Sequence, residues 1–281
     1  MLATLLLVFR EVLEAALIVS IVAAATRGVA RRGAWIGSGI ALGVLGAALI
    51  AAFAGGIADA MEGMGQEWFN AAVLLAAVVM IGWHVVWMSR HGRELAMQMK
   101  EVGSAVSSGS RPLTALLVVV AIAVLREGSE VVLFLYGIVA AGGTTMLDLI
   151  GGGALGIMAG IAVSVLTFLG LMILPLRYLF VTTSAMIAFL AAGMAAQSVF
   201  FLEQAGISSR LTATAWDTSA IVSQTSWFGR VLHTLIGYSD QPSEMQVVVY
   251  GLMLAVIFVL MWLLAPRRTG TSSSARSRRA T

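Results

Sequence analysis

The amino-acid sequence predicts an all-α integral membrane protein with seven transmembrane helices. Hydrophobic residues make up 59% of the 281 residues and charged residues make up 11%, whereas about 25% are charged in an ordinary soluble domain. The mean hydropathy is +0.96. Apolar runs of about 20 residues, the length that spans a bilayer, recur along the chain. They are too long and too continuously apolar for the alternating strands of a membrane barrel.

Seven apolar runs account for most of the chain. They cover residues 2–25, 34–58, 68–89, 113–140, 147–173, 177–202 and 246–264. The first run is not expected to be a cleaved signal peptide, because it lacks a basic start and because charges at positions 10, 11 and 14 interrupt its apolar core. In the fifth run, the glycines at positions 151–153, 156 and 160 indicate a surface that packs closely on a neighbouring helix.

The charges in the connections predict the orientation of the helices. One set of alternate connections, together with the C-terminal tail, carries thirteen basic residues: Arg27, Arg31, Arg32, Arg90, Arg93, Lys100, Arg111, Arg177, Arg267, Arg268, Arg276, Arg278 and Arg279. The opposite set carries two, Arg210 and Arg230, and is rich in acidic residues. Because basic residues collect on the cytoplasmic side, we expect the N-terminus outside and the C-terminus in the cytoplasm. The same bias explains the net charge of +3 without a nucleic-acid partner.

The chain is predicted to contain an inverted 3+3 repeat followed by one C-terminal helix. The segment FREVLEAAL at 9–17 matches LREGSEVVL at 125–133. Because each half contains three helices, the second half crosses the membrane in the opposite direction, as in many transporters. We expect a first repeat at 1–92, a cytoplasmic loop at 93–112 and a second repeat at 113–204. We assign the remainder to an external loop at 205–245, a seventh membrane helix at 246–265 and a disordered basic cytoplasmic tail at 266–281.

Two charged motifs interrupt otherwise apolar runs. They read Arg10-Glu11-Val12-Leu13-Glu14 and Arg126-Glu127-Gly128-Ser129-Glu130. An ionised side chain near the bilayer centre costs about 2.5–3.5 kcal/mol even on a lenient scale, so six of them in one repeated pattern indicate that the chain handles a polar substrate. Residues three and four apart share a helix face, and each arginine lies about 15 Å along its helix, near the midplane.

Brought face to face, the two motifs would combine four carboxylates and two guanidiniums. Carboxylates without a cation would repel each other, and a hard multivalent cation with oxygen ligands would relieve that repulsion. A purely structural Arg–Glu bridge needs one glutamate for each arginine, whereas each motif has two, so we favour a cation site. The predicted metal ligands are Glu11, Glu14, Glu127 and Glu130, and the predicted supporting residues are Arg10 and Arg126. The sequence has no cysteine, which argues against a soft-metal copper route.

The paired Arg-Glu-x-x-Glu motifs resemble those of the high-affinity iron permease family, which includes the oxidase-dependent fungal permeases and the bacterial EfeU-type permeases. The resemblance covers nearly the whole chain. It includes Gly65-Gln66-Glu67, Trp83 to Trp87, Glu203-Gln204-Ala205-Gly206, Trp216-Asp217-Thr218-Ser219 and Gly237-Tyr238. The family usually has Gly-Leu inside each motif, where this chain has Val12-Leu13 and Gly128-Ser129.

The resemblance implies an iron permease of the inner (plasma) membrane, in which the motif glutamates form the path. Iron would be the transported substrate, and no permanently bound cofactor is expected. The implied partners are the lipid bilayer and separate periplasmic or extracellular iron-handling or redox proteins. We find no ATP-binding motif in the sequence, so ion gradients, the membrane potential or redox partners would drive transport.

Several polar residues outside the motifs are further candidates. Glu67, Glu203 and Asp217 are predicted as additional metal ligands on the outer side, although a carboxylate at position 67 also suits the N-terminus of a helix. In the external loop, the alternative is that the acidic residues are simply solvated, as charged loop residues ordinarily are. His84, inside the third run, suits a ligand or a proton carrier, but we expect it only to contact a neighbouring helix.

Two other functions are consistent with the motifs. The same carboxylates suit a proton-coupled carrier of another divalent metal such as manganese. An intramembrane metal sensor or enzyme would use the motif acids without transport. We do not expect an enzyme, because the sequence shows no nucleophile–base pair and no histidine cluster of metalloprotease spacing. These residues leave the oxidation state of the metal open.

Overall fold

Over its described residues, the protein is a bundle of α-helices. The computed structural model describes residues 1–60, 66–142, 144–169, 176–206 and 211–264. This part of the chain contains eight helices and a single isolated β-bridge, but no strand. The helices are α1 (Leu2–Ala25), α2 (Arg32–Ala60), α3 (Gln66–Ser107), α4 (Thr114–Ala140), α5 (Met146–Phe168), α6 (Leu176–Gln204), α7 (Trp227–Ile236) and α8 (Glu244–Leu264). The predicted tail at 266–281 lies outside the described residues.

Most of the described helices have the length and composition of membrane spans. Five of them contain a segment long and apolar enough to cross a membrane: Arg32–Gly56, Glu67–Met88, Met146–Phe168, Phe180–Gln204 and Glu244–Leu263. The other two long helices, α1 and α4, are the ones that carry the charged motifs. Large apolar side chains on the outside of the bundle are strongly exposed, among them Phe53 (74%), Leu147 (81%) and Trp262 (77%). Such extensive apolar exposure is typical of a surface in contact with lipid.

Two helical segments lie where the sequence predicts loops. Helix α3 continues to Ser107, through most of the predicted cytoplasmic loop at 93–112, because residues 94–102 are mainly strong helix formers. Its end returns to α1, where the Ser107 hydroxyl donates to the Ala25 carbonyl at 3.0 Å. Helix α7 lies within the predicted external loop at 205–245. The Ser226 side chain caps its start, and Gly237, with a φ of 68°, ends it in the left-handed conformation.

Each motif helix packs against a glycine-lined face of another helix. Helix α1 lies against α5, where a Cβ added at Gly156 would come within 2.8 Å of the Leu5 carbonyl oxygen. Helix α4 lies against α2, where a Cβ added at Gly43 would come within 2.8 Å of the Ala121 carbonyl oxygen. The predicted packing surface on the fifth run is thus confirmed for Gly152, Gly156 and Gly160, whereas an added Cβ at Gly153 would meet no described atom within 4 Å. Val12 also packs closely, because Gly160 of α5 leaves room for it.

Two apolar clusters flank the motifs along the helices. Leu7 of α1 and Phe134 of α4 belong to one cluster, which also contains residues of α3 and α6. Val22 of α1 and Leu116 of α4 belong to the other, together with Val106 near the end of α3. In each motif helix, the charged residues lie between these two contact regions in the sequence. The charges therefore form a layer between two apolar clusters.

Replacing Gly156 by alanine should weaken the contact between α1 and α5. The added Cβ would lie 2.8 Å from the Leu5 carbonyl oxygen and 2.9 Å from the Phe9 nitrogen, and overpacking of this kind costs about 1–3 kcal/mol. The unfolding temperature of the protein in detergent should fall. Gly153→Ala on the same helix is the control, because no described atom lies within 4 Å of its added Cβ. Equal unfolding temperatures for the two variants would contradict this packing.

Candidate metal centre

The two charged motifs meet where α1 and α4 lie against α3. Ligand atoms of Glu11, Glu127, Glu130 and His84 all lie within 4.8 Å of one another. Glu14 borders this group, with its Oε2 atom 3.7 Å from His84 Nε2. All four predicted motif glutamates are therefore gathered in one place, and we refer to these four with His84 as the carboxylate–histidine cluster.

The first motif is closed off from the surface. Arg10, Glu11 and Glu14 are each at most 2% exposed. Arg10 Nε lies 3.0 Å from Glu14 Oε1, one helical turn away, and Arg10 Nη1 lies 3.4 Å from Glu11 Oε1. The single guanidinium therefore contacts both carboxylates of its own motif. Its partner four residues further along, Glu14, lies on the same face of the helix.

The second motif has the same pairing but a more open position. Arg126 Nε lies 3.2 Å from Glu130 Oε1 and 3.8 Å from Glu127 Oε1. The Arg126 side chain is 31% exposed, whereas the Glu127 side chain is only 2% exposed. The Arg126 guanidinium also lies over the Trp87 ring, with its Cζ atom 4.4 Å from the ring centroid, and this cation–π contact holds it against α3.

His84 of α3 lies between the two motifs. Its Nε2 atom is 3.7 Å from Glu11 Oε2 and 3.7 Å from Glu14 Oε2. Its Nδ1 atom is in close contact with Glu130 Oε2. The imidazole thus contacts carboxylates of both motif helices, and it is itself only 4% exposed.

The charge balance of this layer favours binding of a cation. Four glutamates and two arginines carry a formal net charge of −2 if all are ionised. Within the described part of the chain, neither carboxylate oxygen of Glu127 has a hydrogen-bond partner. A buried charge without sufficient compensation costs several kcal/mol, and a divalent cation among these oxygens would supply the missing positive charge.

A cavity of about 260 Å³ adjoins the second motif. It is lined by Met80, Trp83, His84, Trp87, Arg126, Glu130 and Phe134, all from α3 and α4. Trp83 is 71% exposed, so the cavity reaches the side of the bundle between these helices. It has room for several water molecules, and it brings two members of the cluster, His84 and Glu130, next to open space.

The three additional predicted ligands lie apart from the cluster. Glu67 is exposed in the first turn of α3, about 25 Å along the helix axis from His84. Glu203, near the end of α6, accepts a hydrogen bond of 2.8 Å from Ser243 Oγ.

Asp217 lies on the exposed loop between α6 and α7. Its carboxylate accepts hydrogen bonds from Ser219 and from Gln241 Nε2. The Ser219 hydroxyl and backbone amide are the main reason why the pKa of Asp217 lies below its usual value. Asp217 therefore stays ionised at neutral pH and fixes the conformation of this loop.

His84 has a larger part in this site than the sequence predicted. Its expected role as a simple helix contact is incomplete, because its ring nitrogens face carboxylates of both motifs. The signal was present in the spacing along α3, where His84, Trp87 and His91 recur at intervals of three and four residues and share a face. A single helix gives no information about which other helix that face meets.

Comparisons with known proteins give one consistent result. Residues 1–270 match the model of the iron permease FTR1 family. The chain is 35% identical to the ferrous iron permease EfeU of Escherichia coli O6:H1 over 275 residues, covering 96% of this chain and 97% of the relative. It is 32% identical to the ferrous iron permease EfeU of Yersinia pestis over 279 residues, with coverage of 98% and 97%. No solved structure shows a significant match to the chain.

Removing the buried arginine should destabilise the protein more than removing the exposed one. Arg10→Met leaves Glu11 and Glu14 without their guanidinium, and breaking a buried ion pair in this way costs about 3–5 kcal/mol. Arg126→Met is the matched variant, and its cost should be smaller because Arg126 is 31% exposed. Thermal unfolding in detergent, followed by tryptophan fluorescence, measures both. A larger loss for Arg126→Met would contradict the assigned burial.

Proposed function

Because the chain belongs to the iron permease FTR1 family, it is an iron permease rather than an enzyme, and we propose that iron crosses the membrane through the carboxylates of Glu11, Glu14, Glu127 and Glu130. The observation that carries this proposal is the convergence of ligand atoms from α1 and α4 within 4.8 Å in a buried layer. The ion-pair contacts of Arg10 and Arg126 support a role in holding these carboxylates in position.

We propose ferrous iron as the substrate. The relatives described above are named ferrous iron permeases. A formal motif charge of −2 matches that of a divalent cation, so an Fe²⁺ ion would leave the layer neutral. A trivalent ion would leave an uncompensated positive charge in the same buried place, at a cost of several kcal/mol.

We propose that seven helices, α1 to α6 and α8, cross the cytoplasmic membrane with the N-terminus outside. The basic residues of alternate connections support this orientation. Two similar pairings, α1 with α5 and α4 with α2, support the assignment of 1–92 and 113–204 as inverted repeats. In this arrangement α7 lies on the outer side, where an amphipathic helix with the exposed residues Trp227 and Phe228 suits the membrane interface.

The transport steps follow from the layered arrangement. Glu67, Glu203 and Asp217 are at the outer end of the bundle in this topology, and they would attract cations before binding. The ion would then bind among the motif carboxylates, where the two apolar clusters separate it from both sides. Release to the cytoplasm requires a rearrangement of the helices around the site.

The membrane potential supports inward movement. It favours cation uptake by about 2.3 kcal/mol per charge for each 100 mV. Separate periplasmic or extracellular iron-handling or redox proteins would deliver the ion, as the family resemblance implies.

Neutralising one glutamate of either motif should abolish iron uptake without unfolding the protein. Glu14→Gln and Glu130→Gln each remove a negative ligand while keeping the side-chain size. Uptake of radioactive Fe²⁺ into proteoliposomes under reducing conditions measures the effect, and we expect a loss of at least about tenfold. Glu101→Gln, on the exposed end of α3, is the control and should transport normally. Parental transport by both motif variants would show that these carboxylates are not ligands.

Single cysteines should report the proposed orientation directly, because the natural sequence contains no cysteine. Ser108 and Thr225 are both exposed, after the end of α3 and before α7, respectively. In intact cells, a membrane-impermeant maleimide should label Thr225→Cys and should not label Ser108→Cys until the membrane is opened. The reverse pattern would mean that the chain is inserted the other way round.

A further inference from the structure

We propose that His84 is a direct ligand of the transported iron and that its imidazole makes the site prefer iron over harder divalent cations. This inference rests on the proposed function, since it adds a nitrogen ligand to the motif glutamates. It assigns to α3 a part in the binding site that neither charged motif contains.

The position of His84 supports a role as a ligand. One of its ring nitrogens belongs to the group of four ligand atoms that lie within 4.8 Å of one another. Its Nε2 atom faces Glu11 and Glu14 at 3.7 Å each, and its Nδ1 atom contacts Glu130. Distances of 3.7 Å are too long for hydrogen bonds, but they leave space in which a cation can be shared between the nitrogen and the carboxylates.

The surroundings of His84 hold the ring in this position. The edge of its ring meets Phe134 of α4, with 6.2 Å between the ring centroids. Val85, the next residue of α3, is buried in the apolar cluster that contains Phe134. Within the described residues, the groups that face its ring nitrogens are carboxylates of the two motifs.

The other two histidines do not share this environment. His91 lies two turns further along α3, where its ring stacks on Trp87 with 4.8 Å between the centroids. His233 is in α7 and its Nδ1 atom is 2.7 Å from the Tyr238 carbonyl oxygen. His84 is therefore the histidine that the fold places among the motif carboxylates, and His91 provides a matched control on the same helix.

A nitrogen ligand changes which metals the site prefers. Sites made only of carboxylates suit magnesium, calcium and manganese, whereas imidazole suits iron, nickel, copper and zinc. Affinity for mixed nitrogen and oxygen ligands also rises from Mn²⁺ to Fe²⁺. One imidazole among four glutamates would thus favour Fe²⁺ over the hard cations that are far more abundant outside cells.

X-ray absorption at the iron edge tests ligation in the unmodified protein. The purified protein in detergent is loaded with Fe²⁺ under anaerobic conditions, and the extended fine structure is recorded. We expect the multiple-scattering signature of one imidazole, present also in His91→Gln and lost in His84→Gln. Oxygen scattering alone in the parental protein would overturn the proposal, and so would an imidazole signal that survives in His84→Gln.

The selectivity of transport tests the proposed preference of the site for iron over harder divalent cations. Proteoliposomes are supplied with Fe²⁺ and Mn²⁺ together, and the ratio of uptake is compared between variants. We expect His84→Gln to lower the iron-to-manganese ratio by about tenfold, since even partners that only orient a metal ligand change affinity by about 10–100-fold. His91→Gln should keep the parental ratio.

The outcomes separate this inference from the proposed function. If the parental protein moves no iron, the proposed function fails, while the absorption spectrum still decides whether His84 binds the metal. If the parental protein moves iron and His84→Gln keeps the parental ratio, the selectivity role of His84 is wrong and the glutamate path stands. An equal loss of both metals would overturn the role of His84 in selectivity, and the absorption spectrum would decide whether His84 still binds the metal.

Discussion

The central constraint on this protein is that four carboxylates, three of them buried and that of Glu130 partly buried, need positive charge close to them. Arg10 and Arg126 supply part of it at 3.0 and 3.2 Å, and the transported cation would supply the rest. A site that arginines neutralised completely would not attract a metal ion, and one without them would cost too much to bury. Because there are two glutamates for each arginine, the arginines stabilise the folded layer but leave a net negative charge that a cation can neutralise.

The two motifs are equivalent in sequence but not in their surroundings. The first is buried among α1, α3 and α4, whereas the second borders the cavity lined by Trp83 and Trp87. His84 joins them, because it contacts Glu11 on one side and Glu130 on the other. An ion held among these ligands would therefore have a closed side and a more open side. Because α3 carries His84 and lines the more open side, a movement of α3 would change both the ligands of the ion and its access to the cavity.

Much of this arrangement could be predicted from the sequence, because long apolar runs identify membrane helices and because charged motifs are rare within such runs. The seven long helices and the convergence of both motifs were predictable for that reason. The extension of α3 to Ser107 and the short helix α7 were not, since polar helix formers and loop residues look alike without their tertiary contacts. His84 was underestimated because the meaning of a lone histidine depends on what faces it across the bundle.

The pairing of α1 with α5 and of α2 with α4 has a consequence for how the protein is made. During synthesis α1 emerges first, carrying Arg10, Glu11 and Glu14, while the glycine face of α5 that covers it follows more than a hundred residues later. The first three helices alone therefore lack the packing partners that α4 and α5 provide. Until the later helices are made, Arg10, Glu11 and Glu14 lack their partners from α4, and their charges have to be accommodated by the insertion machinery or by water.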